Sequence, residues 1–269
     1  MIDMLSTLKT EIFTAKRAYC NASWDYDYIN SSFTRLYHTT SGEAYVVCEG
    51  RKYHLRPGAL HLFPSHTPLA MHCPKEMTQQ FLHFTAEMLN GIDMFKFFRV
   101  EREINISNIP RVKYLLNRLE AIWQTGRLEH ALETEGIIRI LCSMFISEET
   151  TSKQTEFINN SMRFRTVFEF MEKHYAKKIT LSDLAEQLNL QPTYFSNLFS
   201  SRMGMPPIKY LNRKRIEKAQ NMLLFTKDSL GEIAEKVGFE DVFYFSKIFK
   251  KYVGTAPDHY RKQKKILLR

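Results

Sequence analysis

Cysteine is scarce in this chain, and the four present are scattered. Cys20, Cys48, Cys73 and Cys142 stand far apart, and no Cys-x-x-Cys pair occurs. Neither a zinc site nor a disulfide framework is expected from such spacing. Lone thiols of this kind behave as small hydrophobes in a cytosolic protein. No His-x-His pair occurs either; His54, His61, His66, His72 and His83 are dispersed. Dispersed imidazoles are more often hydrogen-bonded structural groups than metal ligands. No metal and no cofactor is therefore expected. No apolar run is long enough to span a bilayer. The stretch Met1–Phe13 lacks the basic-then-apolar layout of a secretory signal. The expectation is a cytoplasmic protein with no membrane partner.

The composition is otherwise ordinary for a globular protein, with 44% hydrophobic and 25% charged residues. Its 269 residues suffice for about two domains. The net charge of +9 is unevenly placed. From Arg163 to Arg269 there are 21 basic and 11 acidic residues, a balance of +10; the remainder holds 17 and 18, a balance of −1. That asymmetry points to a polyanion, most often nucleic acid, as partner of the C-terminal part.

Short strands with frequent turns fill residues 1–86. Ser32–His38 alternates, with Phe33, Arg35 and Tyr37 on one face. Ser41–Glu43 reads as a turn before Ala44–Cys48, Glu49–Gly50 turns into Arg51–Leu55, and Arg56–Gly58 precedes Ala59–Phe63. Such spacing suggests a sandwich or barrel. Two amphipathic helices follow, Arg111–Gln124 and Leu128–Phe145, the second with Leu132, Ile137, Ile138, Leu141 and Phe145 as its stripe. Ser147–Asn160 is polar and reads as an interdomain linker.

The C-terminal part is helical. Thr180–Asp183 resembles a capping box. Gly238 suits a helix stop, and Asp241 a helix cap. Phe245, Ile248, Phe249 and Tyr252 then recur at helical spacing, leaving Phe243, Ser246, Lys247 and Lys250 on the other side. The pattern occurs twice. At a shift of 50, Phe195, Ser196, Phe199, Gly204, Pro207 and Tyr210 align with Phe245, Ser246, Phe249, Gly254, Pro257 and Tyr260. Upstream the shift is 49, which a one-residue difference in the turn explains. Two helix-turn-helix units are expected, joined by a helix over Pro207–Phe225 that carries Arg213, Lys214 and Arg215.

These residues resemble the AraC/XylS family of bacterial transcription regulators over about Met162 to Lys262. The likeness runs through Leu184-Ala185, Tyr210-Leu211, Arg215-Ile216, Ile233-Ala234, Val237-Gly238-Phe239, Phe249-Lys250-Lys251, Pro257 and Tyr260-Arg261. Gln191, Pro206 and Ala256 depart from the pattern at caps and turns. The N-terminal part is similar, more weakly, to the cupin-like arm that binds a small effector in that family.

The resemblance implies an α+β chain of two domains. A cupin-like β-barrel followed by helices (residues 1–147) would bind effector and dimerise. A linker (148–160) would lead to an all-α double helix-turn-helix domain (161–269). The function implied is a DNA-binding transcription regulator, an activator, with RNA polymerase as a further partner and a homodimer as its assembly. DNA contacts are expected from Thr193, Ser196 and Asn197 in the first unit and Val242, Phe243, Ser246, Lys247 and Lys250 in the second. Arg213 and Arg215 are expected on phosphates or in internal ion pairs. On the barrel, Arg35, Tyr37, Tyr45, His61 and His83 are the effector-lining candidates, suited to a sugar or a small carboxylate. The alternatives are a cupin-type enzyme, for which no catalytic constellation stands out, and a DNA-binding regulator that needs no effector.

Overall fold

The computed structural model describes residues 5–89, 91–107, 109–123, 125, 127–147 and 152–262. Residues 148–151 of the expected linker, and the ends of the two expected domains at 1–4 and 263–269, lie outside them. The described residues divide into a barrel unit, residues 10–86 and 98–147, and a helical unit, residues 5–9, 87–97 and 152–262.

The described residues form ten strands: β1 (Lys9–Asn21), β2 (Asp25–Ile29), β3 (Thr34–Gly42), β4 (Ala44–Cys48), β5 (Arg51–Leu55), β6 (Ala59–Phe63), β7 (Leu69–His72), β8 (Glu76–Met88), β9 (Ile92–Asp93) and β10 (Glu103–Asn105). They make two sheets, in the orders β1-β8-β3-β6-β10 and β2-β7-β4-β5, with the end of β8 pairing β9. Ser41–Glu43, expected as a simple turn, is the corner where the chain leaves one sheet for the other. β3 pairs β6 and β8, whereas β4 pairs β5 and β7. Gly42 takes φ +68° there, and a Cβ would lie 2.1 Å from the Glu76 carbonyl oxygen, so only glycine fits the corner.

Helix α1 (Pro110–Ile122) buries Val112, Leu115, Leu116, Leu119 and Ile122 in a single stripe. Helix α2 (Leu128–Ser143) buries Ile137, Ile138, Leu141 and Cys142, but Leu132, expected in that stripe, is exposed together with Leu128. Leu128 and Leu132 lie on the first turns of α2, before its inward stripe begins. A two-pronged pair, Arg118 Nε and Nη2 each 2.7 Å from a Glu133 carboxylate oxygen, ties α1 to α2.

In the helical unit the polar stretch expected as a linker is itself a helix, α3 (Ser152–Arg163). Residues 154, 157, 158 and 161 recur at i, i+3, i+4 and i+7 and face inward. Two of them are polar, which hid the stripe. Phe157 packs on Phe97 with ring centres 5.3 Å apart. Seven further helices follow: α4 (Arg165–His174), α5 (Leu181–Glu186), α6 (Pro192–Met203), α7 (Pro207–Phe225), α8 (Leu230–Lys236), α9 (Val242–Val253) and α10 (Pro257–Lys262). α7 spans the interval expected from sequence.

Helix starts follow local chemistry. Thr180 and Asp183 form a reciprocal capping box at α5, and Ser229 and Glu232 form another at α8. Asp241 caps α9 by accepting from the Tyr244 N–H, while Gln191 before α6 makes no side-chain cap bond. Each box or cap satisfies backbone donors that would otherwise have no partner in the helix.

Candidate functional site

The two helix-turn-helix units correspond position by position along the repeat. Each turn pivots on a left-handed residue, Asn189 at φ 52° and Gly238 at φ 87°. Immediately after it, Leu190 N–H donates to the Ala185 carbonyl and Phe239 N–H to the Ala234 carbonyl. The shift of 49 thus holds through the pivot. The second turn then spends one extra residue, Glu240, before its cap, which makes the shift 50. The helices after the turns, α6 and α9, each bury two phenylalanines, Phe195 with Phe199 and Phe245 with Phe249. Both end on a left-handed glycine, Gly204 and Gly254.

Burying those phenylalanines fixes what each helix shows outward. On α6, Thr193 and Asn197 are exposed and Ser196 is half-buried. On α9, Phe243, Lys247 and Lys250 are exposed, while Val242 and Ser246 are half-buried. Two residues were missed by sequence reasoning. Tyr194 and Tyr244 occupy equivalent places on the two helices and are 56% and 51% exposed. The shift of 50 relates them, so the repeat itself carried the signal.

The basic cluster on α7 requires correction. Arg215 is buried, and its guanidinium donates to the Tyr175 carbonyl at 2.8 Å and the Lys177 carbonyl at 2.7 Å. It fastens the chain after α4 and does not present itself to a phosphate. Lys214 is buried on Glu172 at 2.6 Å. Arg213 is half-buried, with its Nε 3.4 Å from Glu217 and its guanidinium 4.9 Å from the Tyr210 ring centre. Three consecutive helical residues fan over about 200° of the helix surface, so they do not share one outward face.

In the barrel unit, four of the five expected effector residues come together. Arg35 opposes His83 and Phe63, and Tyr37 opposes Phe81 and His61, all on one face of the β8-β3-β6 ladder. All four candidates are buried. Arg35 Nε donates to Ser31 Oγ at 3.2 Å, and its Nη1 donates to Tyr37 Oη at 3.1 Å and lies 3.0 Å from His83 Nε2. Burial, and then the Arg35 charge, hold the His83 pKa well below the usual imidazole value. His83 is thus neutral, and its Nε2 accepts from the guanidinium. Burial lowers His61 to about 4, with Glu103 3.6 Å away opposing that shift.

Tyr45 is the exception. On β4 the buried residues are Ala44, Val46 and Cys48, so alternation puts Tyr45 on the opposite, outer face. There it stacks on His54 with ring centres 4.7 Å apart, and Lys52 Nζ lies 3.9 Å from its ring centre. It is removed from the interior set.

Several buried polar atoms make no hydrogen bond: His61 Nδ1, His83 Nδ1, Trp24 Nε1, Thr39 Oγ1 and Gln79 Oε1, while His61 Nε2 has only the Glu103 carboxylate, 3.6 Å away. Among the described residues no group of His, Cys, Asp or Glu is placed to hold a metal ion. No helix among them is long and apolar enough to cross a membrane.

Comparison with known proteins matches both units. An AraC-like ligand binding domain covers residues 17–138 and a helix-turn-helix domain covers residues 184–263. The arabinose operon regulatory protein of Escherichia coli (strain K12) is 26% identical over 244 residues, 83% of this chain and 78% of that protein. The HTH-type transcriptional regulator YisR of Bacillus subtilis (strain 168) is 41% identical over 93 residues, 35% of this chain. The chain spans 32% of YisR's length. Apo ToxT from Vibrio cholerae strain SCE256 shares the fold over 95% of this chain and 97% of its own, with a TM-score of 0.50 at 12% identity. Both curated relatives are named as regulators, not enzymes. The ligand-binding match over the barrel unit and the single helix-turn-helix match over the paired units together place this chain in the AraC family of transcription regulators.

Proposed function

We propose that the chain is a sequence-specific DNA-binding transcription regulator, an activator, whose barrel interior receives a small effector. One observation carries the DNA half of this reading: α6 and α9 bury equivalent phenylalanine pairs and hold unlike polar and basic residues outward, in the part of the chain that carries a balance of +10. Asn197 is suited to adenine and Lys247 to guanine, each by hydrogen bonds in the major groove. α7, with 19 residues, spans about 28 Å. That length suits two readers set in successive major grooves about 34 Å apart. Since α6 and α9 show different side chains, one protomer would read an asymmetric site.

A mobility-shift titration tests this with a duplex from the gene's own promoter and a scrambled control. Asn197→Ala and Lys247→Ala are each expected to weaken specific binding about tenfold, the loss of one base contact, with little change on scrambled DNA. Parent-like binding of both variants to both duplexes would refute the assignment.

The effector half rests on Arg35, Tyr37, His61 and His83 and on the unbonded buried polar atoms beside them. Buried polar groups ordinarily have partners, and the hydroxyls of a sugar, or a small carboxylate, would supply them. The relative from Escherichia coli is named for arabinose, and a carbohydrate is the class we favour. Stabilisation by a bound ligand raises the melting temperature, so a thermal-shift screen of sugars and small acids that moves nothing would count against an effector. A homodimer and contact with RNA polymerase belong to the same reading. Sedimentation as a monomer would remove the first, and unchanged transcription in a purified polymerase assay the second.

A further inference from the structure

Phe243 is the second residue of α9 and is 82% exposed, more than any other large hydrophobic side chain among the described residues. Among the described residues no aromatic ring or cation is seated on its ring. The neighbouring Phe239 packs on Tyr244 and Phe245 instead, with ring centres 6.0 and 5.5 Å apart. Phe243 shares the outward side of α9 with Lys247, one helical turn further on. At the equivalent place on α6 stands Thr193, also exposed. A phenyl ring thus occupies one of two matched positions and the small, mixed polar side chain of threonine the other.

A phenyl ring has no hydrogen-bond donor or acceptor. On the major-groove edges of the four base pairs, the apolar feature is the C5-methyl group of thymine; every other landmark is a donor or an acceptor. We infer that Phe243 reads a thymine methyl group under α9 and is the residue by which the second helix-turn-helix unit is specified apart from the first. The half-buried Val242 is not the reader, because α9 turns it partly inward. The inference rests on the DNA-binding reading and adds a chemical consequence: the second half-site distinguishes thymine from uracil, and 5-methylcytosine from cytosine.

The test begins with a duplex selected from a random library by the full chain. Each thymine of that duplex is replaced singly by deoxyuridine, which deletes the methyl group and leaves the hydrogen-bonding edge intact. With the parent protein, one thymine in one half-site is expected to cost about fourfold in affinity, the factor that burial of a methyl-sized group yields. In Phe243→Ala that difference between thymine and uracil should vanish, and in Phe243→Leu most of it should remain. At the same position, a 5-methylcytosine–guanine pair should bind more tightly than an unmodified cytosine–guanine pair with the parent and equally with Phe243→Ala. Because Phe243 is exposed, all variants are expected to keep the parent's thermal transition.

Retention of the full thymine–uracil difference by Phe243→Ala would overturn the inference, as would a selected duplex with no uracil-sensitive position. So would an equal loss by Phe243→Ala on thymine and uracil duplexes, the mark of a ring wedged between base steps. Failure to select any duplex would instead remove the DNA-binding reading itself.

Discussion

Gly238→Ala is expected to destabilise the helical unit by about 3 kcal/mol or more. Two costs combine. A residue with a Cβ at φ +87° bears the left-handed penalty of roughly 1–2 kcal/mol. The new methyl group would also lie 2.5 Å from the Tyr175 carbonyl oxygen and 3.0 Å from the Ala176 carbonyl carbon, both backbone atoms. That carbonyl has little freedom to withdraw, since it accepts from Arg215 Nε at 2.8 Å. A loss on the order of 10 °C in thermal midpoint should follow. Gly254→Ala is the control: its φ is +86°, but nothing lies within 4 Å of the added carbon. It should show the left-handed penalty alone. If circular-dichroism melts put the two variants level, the close approach to Tyr175 is not the reason for glycine at 238.

Arg215→Ala should cost about 3 kcal/mol. Hydrogen bonds from a charged donor contribute roughly 1.5–3 kcal/mol each, and carbonyls left without a partner add their desolvation penalty. The guanidinium also lies 5.5 Å from the Phe239 ring centre, so its removal loosens the turn of the second unit as well as the segment after α4. Arg213→Ala, which loses a half-exposed pair with Glu217, should cost below about 1 kcal/mol. Urea titrations give both numbers. DNA binding separates the roles independently. A phosphate contact contributes about 0.9 to the slope of log affinity against log salt. Arg215→Ala, measured where it is still folded, should leave that slope unchanged; a fall of about one unit would return the residue to the DNA surface.

The helix-turn-helix units were legible because their code is local. Thr180 with Asp183, Asp241 alone and Gly238 each act within a few residues of their own position, and the phenylalanine stripes need only helical periodicity. The repeat then confirmed the reading against itself. Arg215, expected on a phosphate or in an internal ion pair, bonds backbone carbonyls instead, because a run of charge says nothing about direction; a helix distributes adjacent residues around its axis, and only packing decides which one is covered. The barrel was less legible for a different reason. β3 is buried on both faces over Thr34–Thr39, so no polar face marks the outside. Alternation alone does not say which parity of β4 faces inward; the burial of Ala44, Val46 and Cys48 fixes it and places Tyr45 outside. α3 was missed because polar residues 154 and 161 occupy half of its inward stripe, and Leu132 was over-assigned because periodicity does not say where a stripe begins.

The division of labour on α6 and α9 has a bearing on how such a regulator changes. The letters that hold each helix in place, Phe195 and Phe199 or Phe245 and Phe249, are the same in both copies. The letters turned outward, Thr193 and Asn197 or Phe243 and Lys247, are not. A substitution at an outward position changes the face one helix presents without touching the packing that positions it. On the DNA-binding reading proposed above, each helix would then be retargeted separately, one base step at a time, while the other kept the protein anchored to half of its old address.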